Sequence, residues 1–189
     1  MQLANRFDLQ QGDCIIAPPK MTDSRFSKSV IMLTRLSDHG SQGFIINRPT
    51  DHGVNTLIED TGLTLDEDYC LHWGGPVNVN TVWMLHDHSW QLEQTMRIND
   101  SWSMTSHRNM FDALKLGHRP QRFRIFYGFA AWGIDQLENE IQGEYPWSKD
   151  SSWLILRNPD QHWISERDGE EQWTDSITFS TNQTVSDWL

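Results

Sequence analysis

Apolar and β-branched residues fall in short runs along the chain, and most of these runs are typical of β-strands. The run at residues 29–36 and the run GFIINR at 43–48 are separated by a turn at Asp38-His39-Gly40. Two such runs around a short turn predict a β-hairpin. Further strands are predicted at residues 13–18, 70–75, 82–88 and 153–157. Two alternating runs, 95–98 and 102–105, flank Asn99-Asp100 and predict another hairpin.

The run RFRIFYGFAAW, residues 122–132, is the strongest strand in the chain. Apolar and aromatic residues follow one another in it with little alternation, which is typical of a strand covered on both faces. We therefore predict that this strand is central in the sheet.

Three segments have helical spacing. Residues 54–62 predict a short helix that ends at Gly62. A second helix is predicted through Leu116, with Thr105 or Ser106 as its N-cap. A third is predicted from Ile134 to about residue 142, with Ile134, Leu137 and Ile141 on one face.

The C-terminal segment, residues 158–189, is acidic and weakly patterned, and Glu170 to Ser176 predict only one or two helical turns. No segment resembles a linker, so we assign residues 1–189 to one domain. Strands and helices do not alternate regularly, which predicts an α+β fold with a mixed sheet and three or four helices.

Composition narrows the classes of partner. The 189 residues include 15 basic and 26 acidic side chains, for a net charge of −11. This charge disfavours nucleic acids and anionic membranes as partners. The first residues lack a secretory signal pattern, so we expect a cytoplasmic protein. The two cysteines, Cys14 and Cys70, have no metal-site spacing and are expected to be reduced and buried.

The trio Asn47-Arg48-Pro49 ends an apolar strand with polar, charged and rigid residues. The guanidinium fork of Arg48 suits a carboxylate or phosphate ligand, but it suits equally a structural role in holding a loop. The turn Gly74-Gly75-Pro76 could expose amides to an anion or simply require its backbone shape. The same two readings apply to the strand-to-helix corner that contains Trp132 and Gly133.

Other candidate sites are weaker. His86 and His88 share a strand face and could reach one metal, but no third ligand follows from the spacing, so we predict no cofactor and only adventitious metal. A basic face is conceivable around Arg119, Arg122 and Arg124. Alternation sends Arg122 and Arg124 to the same side of their strand, which favours a small anion site over a DNA-binding surface.

Several stretches, taken in order, resemble the YqgE/AlgH family of bacterial proteins. They are KSVIML, GFIINRPT, HWGGPV, MLH, INDSWSMTSHRNMFDAL, YGFAAWGIDQLENEI and Trp147. The resemblance implies a compact α+β domain with a bent, barrel-like mixed sheet. It implies no settled enzyme activity, and the family name reflects a genetic link to transcriptional control of alginate production.

The resemblance also marks a shared motif core. Its positions here are Asn47, Arg48, Pro49, Gly74, Gly75, Pro76, Trp132, Gly133, Gln136, Leu137 and Glu138. The chain departs from the family pattern at Leu36, at Asp135 and at Tyr145-Pro146-Trp147.

From these observations we predict a ligand site formed by Asn47, Arg48, the Gly74-Gly75-Pro76 turn, Trp132 and Gly133. The leading functional hypothesis is a non-enzymatic regulatory or ligand-binding protein that acts through a small anionic ligand or a protein partner. The alternative is an enzyme with a small anionic substrate in the same cleft. Direct, specific DNA binding is the third reading and is not expected, and the sequence predicts no oligomeric state.

Overall fold

The computed structural model describes residues 8–144 and 152–186. Ten strands form one sheet, which is antiparallel except for a single parallel pair. The strands are β1 Cys14–Ile16, β2 Val30–Ser37, β3 Gly40–Ile45, β4 Pro49–Gly53, β5 Cys70–Trp73, β6 Val77–His86, β7 Met96–Arg97, β8 Ser103–Thr105, β9 Phe123–Trp132 and β10 Leu154–Leu156.

The sheet is organised around β9. Along the main path the strand order is β10-β1-β2-β3-β9-β6-β8-β7, and β5 joins it as a branch that pairs with β4 and β9. One edge of β9 pairs with β6. The other edge pairs with β5 through residues 125–127 and with β3 through residues 130–132. β9 thus has three partner strands, and the sheet curls into a half-barrel around it. The prediction that this strand is central is confirmed.

Five α-helices accompany the sheet in the described part of the chain. They are α1 Val54–Ile58, α2 Asn109–Lys115, α3 Gln136–Gln142, α4 Gln161–Glu166 and α5 Gly169–Ser186, with a 3₁₀ turn at Glu59–Thr61 after α1. The result is the α+β class predicted from the sequence, with one helix more than the upper predicted number.

Alternate residues of the N-terminal strands enter two different cores. Ile16, Val30 and Met32 pack on the face that also receives Trp173 and Ile177 of α5. Ile15, Ile31 and Leu33 pack on the opposite face, where Leu137 and Ile141 of α3 lie. Since both faces are covered, these strands are apolar throughout, and their period of two is hidden in the sequence. A third cluster joins α1 and α2 to β5, β6 and β9.

Both predicted hairpins are confirmed. β2 and β3 pair antiparallel, and β7 and β8 pair around the Asn99-Asp100 turn. The third strand is shifted, however. It begins at Gly40 and ends at Ile45, so Asn47 and Arg48 lie beyond it, and Pro49 opens the short strand β4, which was not predicted.

Two predicted helix starts are wrong. α2 begins at Asn109, because Thr105 is a β8 residue that bonds His86 and the Ser106 hydroxyl donates to the Val82 carbonyl. α3 begins at Gln136, because Asp135 has a positive φ of 58° and interrupts the helix. Ile134 therefore does not share a buried face with Leu137 and is 66% exposed.

The C-terminal segment is also more ordered than predicted. α5 is the longest helix in the described residues and packs against β10, β1 and β2. The sequence did not predict a helix of this length, because the buried face of α5 contains the polar residues Gln172, Ser176 and Ser180. The Ser180 hydroxyl donates to the Ile155 carbonyl of β10, and the Gln172 side chain accepts from Arg124 of β9. The Ser176 hydroxyl donates to the Gln172 carbonyl of its own helix, so the polar side chains of this face have partners.

Candidate functional site

Asn47 connects three segments of the fold. Its side-chain oxygen accepts from the Val30 backbone N–H at 2.8 Å, and its amide donates to the carbonyls of Lys28 and Gly169, both at 2.9 Å. The side chain is buried and its donors and acceptor are used within the protein. These contacts give Asn47 a structural role in fixing the start of β2 and of α5.

Arg48 is held mainly by backbone. Its guanidinium donates to the carbonyls of Arg25 and Ser27 and to the Ser29 hydroxyl, and its Cζ lies 4.9 Å from the centre of the Trp73 ring. Burial lowers the pKa of this guanidinium. The contacts favour the loop-holding role left open by the sequence, since three donors are already committed to protein oxygens.

The Gly74-Gly75 turn packs directly on β9. The Gly74 N–H donates to the Tyr127 carbonyl at 2.9 Å, so this amide is unavailable to an anion. A Cβ at Gly75 would overlap the backbone of Phe129 and Ala130, and a Cβ at Gly128 would overlap the Gly75 carbonyl. Close backbone packing therefore explains why glycines stand here, and Pro76 continues the turn into β6.

Trp132 and Gly133 lie at the far end of β9. The indole N–H of Trp132 donates to Glu140 at 3.1 Å, and the Gly133 N–H donates to the Gln136 side chain at 2.9 Å. Trp73 and Trp132 belong to the same apolar cluster. Arg48 and the Gly74-Gly75 turn lie on either side of Trp73 in the chain fold, whereas Trp132 and Gly133 contact α3, and the binding of a ligand by these residues stays a prediction. Trp147, part of the family resemblance, lies outside the described residues.

A cavity of about 670 Å³ opens elsewhere, between β5, the start of β9 and the junction of α4 with α5. None of the seven predicted site residues lines it. Its lining contains equal numbers of basic and acidic side chains: Arg119, Arg122, Arg124, Glu67, Glu166 and Asp168. The expectation that Arg122 and Arg124 face the same side of their strand agrees with this arrangement. We call this cavity the arginine cavity.

Two of its arginines have only loose carboxylate neighbours. Arg119 lies 3.6 Å from Glu67, and Arg122 lies 3.9 Å from Asp87, both beyond hydrogen-bonding distance. Arg122 also contacts the His162 ring at 3.3 Å. Both guanidinium groups are partly exposed, and they can donate hydrogen bonds to an oxyanion that enters the cavity.

The third arginine is part of the protein framework. The Arg124 side chain is 8% exposed and donates to the Ile46 and Arg167 carbonyls and to the Gln172 side chain. Asp168 lies 3.9 Å away and offsets its charge. Burial lowers the pKa of Arg124, and Asp168 opposes that effect. Arg124 therefore ties the beginning of α5 to the sheet.

His72 closes the inner end of the arginine cavity. Its Nε2 is 2.8 Å from Asp168 Oδ2, and its side chain is 5% exposed. Burial alone would raise the pKa of Asp168, but the hydrogen bond with His72 and the charge of Arg124 outweigh it and lower the pKa. The other ring nitrogen of His72, Nδ1, is buried and has no hydrogen-bond partner.

Cys70 precedes His72 by two residues on β5 and lines the same cavity. Burial is the main cause that raises the pKa of its thiol. The expectation that both cysteines are buried is wrong for this one: Cys14 is completely buried, whereas Cys70 is exposed and free. Cys70 sits at an opening because β5 is a branch of the sheet, paired here only with the short β4.

The prediction that His86 and His88 share a strand face is wrong, because β6 ends at His86, which is buried, and His88 lies exposed beyond it. His86 is fully buried, and its two ring nitrogens contact the Asp87 carbonyl at 2.7 Å and the Thr105 hydroxyl at 3.0 Å. Burial lowers its pKa. Within residues 8–144 and 152–186, no group of three metal-binding side chains is clustered.

None of the helices described is long and apolar enough to cross a bilayer.

The sequence did not predict the hydrogen-bonded pair His72 and Asp168 in the cavity. His72 and Asp168 are 96 positions apart, and nothing in the local pattern around Asp168 marks it. A signal did exist for Arg124, because a charged residue interrupts the most apolar strand of the chain. Alternation along β5 would also have placed Cys70 and His72 on one face of the strand.

Comparison with known proteins agrees with this fold. The model of the AlgH-like family matches residues 14–183. A UPF0301 protein from Thiobacillus denitrificans is 32% identical over 145 residues, 75% of each chain, and one from Azoarcus sp. is 34% identical over 131 residues, 67% of this chain and 70% of the relative.

Two solved structures share the fold. The solution structure of AlgH from Pseudomonas aeruginosa has a TM-score of 0.73 at 24% identity and covers 89% of this chain and 87% of that one. The crystal structure of protein DIP2367 from Corynebacterium diphtheriae has a TM-score of 0.67 at 21% identity, with 89% and 85% coverage. The chain therefore belongs to the AlgH-like family, as the order and spacing of its motifs indicated.

Proposed function

We propose that this protein is a non-enzymatic binding protein for a small anionic ligand, and that the ligand occupies the arginine cavity. The observation that carries the proposal is the pair Arg119 and Arg122, two guanidinium groups at one cavity whose carboxylate neighbours lie at 3.6 and 3.9 Å. An oxyanion between them would gain charge-assisted hydrogen bonds that these loose pairs lack.

The acidic residues of the cavity do not contradict this assignment, because two of the three are already hydrogen-bonded to histidines. Glu67 faces Arg119, Glu166 bonds His162 at 3.0 Å, and Asp168 bonds His72 at 2.8 Å. They also limit the charge that the cavity can accept. One anionic group fits this balance better than a polyanion such as nucleic acid.

The size and the apolar wall of the cavity favour a ligand that also has an apolar part. The volume of about 670 Å³ lies within the usual range for small-molecule pockets, roughly 300 to 1,000 Å³. Tyr69 and Phe123, whose rings meet edge to face at 5.0 Å, and Ile125 form this wall.

The proposal is tested by calorimetric titration with inorganic phosphate and pyrophosphate. Arg122→Gln should weaken binding at least about fivefold, because a charge-assisted donor is lost. Arg108→Gln removes an exposed positive charge outside the cavity and is the matched control. Equal affinity in the native protein and Arg122→Gln would rule out the arginine cavity as the anion site.

A second candidate is an enzyme with a small anionic substrate. It is favoured by one observation, the presence of the Cys70 thiol in the same cavity as the His72–Asp168 pair. A thiol, a histidine and a carboxylate are the parts of a nucleophilic site. Sustained turnover of an anionic ester or thioester, lost in Cys70→Ser, would favour this candidate over simple binding.

We further propose that any effect on transcription is indirect, through ligand binding or a protein partner. A cytoplasmic location belongs to the same proposal. Two free thiols, one of them exposed, support it, because such thiols persist in reducing compartments.

A further inference from the structure

We propose that Cys70 is a modification site, at which a small anionic disulfide exchanges with the thiol while Arg122 holds its anionic group. This inference rests on the proposed anion-binding function of the arginine cavity. It adds to that function a second property, the reversible formation of a mixed disulfide in the ligand-binding site.

The first support is the position of the thiol. Cys70 is exposed and lines the arginine cavity, and its Sγ has only long contacts to the carbonyls of Thr50 and Leu71, at 3.9 and 3.7 Å. Such contacts between a thiol and a carbonyl are weak. The side chain can therefore rotate into the cavity at little cost.

The second support is the unpartnered nitrogen of His72. This side chain is buried, lines the same cavity and has no hydrogen-bond partner at Nδ1, although buried polar atoms are rarely left unpaired. Asp168 accepts from Nε2, so in a neutral His72 the Nδ1 atom carries the free lone pair. The Cys70 thiol lies on the same face of β5, and it can give its proton to this lone pair once it turns from the Thr50 and Leu71 carbonyls toward His72.

The exchange balances without any other reactant. The Cys70 proton passes to His72 Nδ1, and the thiolate sulfur attacks one sulfur of the disulfide. One S–S bond forms and one breaks. The released thiolate takes the proton back from His72 and leaves as a thiol. Cys70 is oxidised to a mixed disulfide and the departing half is reduced, so an excess of small thiol reverses the mark.

The charges of the cavity select the disulfide. Asp168 lies close to the inner end and disfavours an anionic group there, whereas Arg119 and Arg122 line the cavity as well. An anionic group several bonds away from the reacting sulfur can meet these arginines. If only the net charge of −11 acted on the reagent, a cationic disulfide would react faster than an anionic one.

The test compares an anionic aromatic disulfide, dithiobis(nitrobenzoate), with neutral dithiodipyridine and cationic cystamine at about 0.15 M salt. Each rate is divided by the rate of N-acetylcysteine amide with the same reagent, which removes the intrinsic reactivity of the reagent. Mass spectrometry locates the adduct. Cys14 is completely buried, so any label on Cys14 reports unfolding.

We expect a single adduct at Cys70 and a normalised rate at least about fivefold higher for the anionic reagent than for the cationic one. Arg122→Gln should remove most of this preference, and Arg108→Gln should leave it intact. An absent adduct on folded protein, or a preference that is zero, reversed or insensitive to Arg122→Gln, would overturn the proposal.

The dependence of the labelling rate on pH tests the role of His72. His72→Gln keeps a polar side chain but lacks the basic lone pair, so the rise of the labelling rate with pH should move to more alkaline pH. An unchanged pH profile in a folded variant would remove His72 from the reaction.

Calorimetry on Cys70→Ser separates this inference from the proposed function. If Cys70→Ser binds phosphate but the native protein forms no adduct, only the modification site fails. If the variant and the native protein both fail to bind phosphate, the proposed anion site fails and this inference fails with it.

Discussion

At the scale of single residues, a few backbone positions decide how closely the strands approach. Gly128 stands in the middle of β9 with a φ of +68°. The pairing of β9 with β6 shifts its register next to Gly128, between Val77 and Val82 of β6. The bend lets β9 pair with β5 on one side of Gly128 and with β3 on the other, so a single glycine permits the central strand to have three partners.

Gly128→Ala should destabilise the protein by about 3 kcal/mol or more, because a left-handed φ and an overlap with the Gly75 carbonyl add together. Gly117→Ala is the matched control, since Gly117 has a φ of +75° but open space around it. The control should cost only about 1 kcal/mol. Urea unfolding measures both, and equal losses would show that close packing at Gly128 contributes nothing.

Arg48→Ala should cost about 2 kcal/mol of unfolding free energy, because two carbonyls and the Ser29 hydroxyl lose their charged donor. Arg48→Lys should recover only part of this loss, since an ammonium group cannot reach three acceptors as a fork does. Phosphate affinity should stay unchanged in both variants. Loss of phosphate binding at unchanged stability would instead support the ligand site predicted from the sequence at Asn47 and Arg48.

At the scale of elements, α5 is attached to the sheet by polar contacts as much as by apolar ones. Arg124 of β9 bonds the Gln172 side chain and the Arg167 carbonyl, and His72 of β5 bonds Asp168, just before the helix begins. Asn47 adds a bond to the Gly169 carbonyl. Strands β5 and β9 and the chain after β3 therefore converge on the N-terminal end of one helix.

This junction predicts an acid-sensitive stability. The folded state holds the pKa of Asp168 below its ordinary value, so the carboxylate stabilises the fold above about pH 4, and that stabilisation is lost as the pH falls further. Asp168→Asn should lower stability at neutral pH and weaken its dependence on pH in the acid range.

Urea unfolding at a series of pH values checks this prediction. Asp100→Asn is the control, because Asp100 is fully exposed and its ion pair with Arg97 lies on the surface. An acid dependence that is the same in Asp168→Asn and the native protein would place the responsible carboxylates elsewhere.

At the scale of the whole molecule, acidic residues outnumber basic ones by 26 to 15, and the fold further reduces the basic surface. Arg124 is buried and Arg48 is half-buried, with its donors committed to the protein. Of the three arginines that suggested a basic face, only Arg119 and Arg122 remain accessible, and both have acidic neighbours. Among these arginines, therefore, only two accessible charges could contact the phosphates of a duplex, where a DNA-binding protein uses many.

We therefore expect no sequence-specific binding to duplex DNA tighter than about 1 μM at about 0.15 M salt, since specific binders typically reach about 10⁻⁸ M. Gel-shift titration of the purified protein with competitor DNA tests this. Sequence-dependent binding that disappears in the double variant of Arg119→Gln and Arg122→Gln would make direct DNA binding the leading function.

The sequence alone determined the α+β class, the family, the two hairpins and the central strand, because these depend on local composition and on runs that only a buried strand tolerates. It also indicated that Arg122 and Arg124 share a side. It failed at α5, where the face toward the sheet is polar, and at the starts of α2 and α3, where the chain bonds to a neighbouring strand or adopts a positive φ.

Only the tertiary structure decided where the candidate site lies. The predicted residues at 47–48 and 74–76 break their local patterns because they hold loops and let backbones approach closely. The cavity combines His72 and Asp168 across 96 positions, and it leaves Cys70 exposed because β5 is a branch of the sheet. Partners that far apart are selected by how the strands fold over one another, and no local spacing along the chain carries that information.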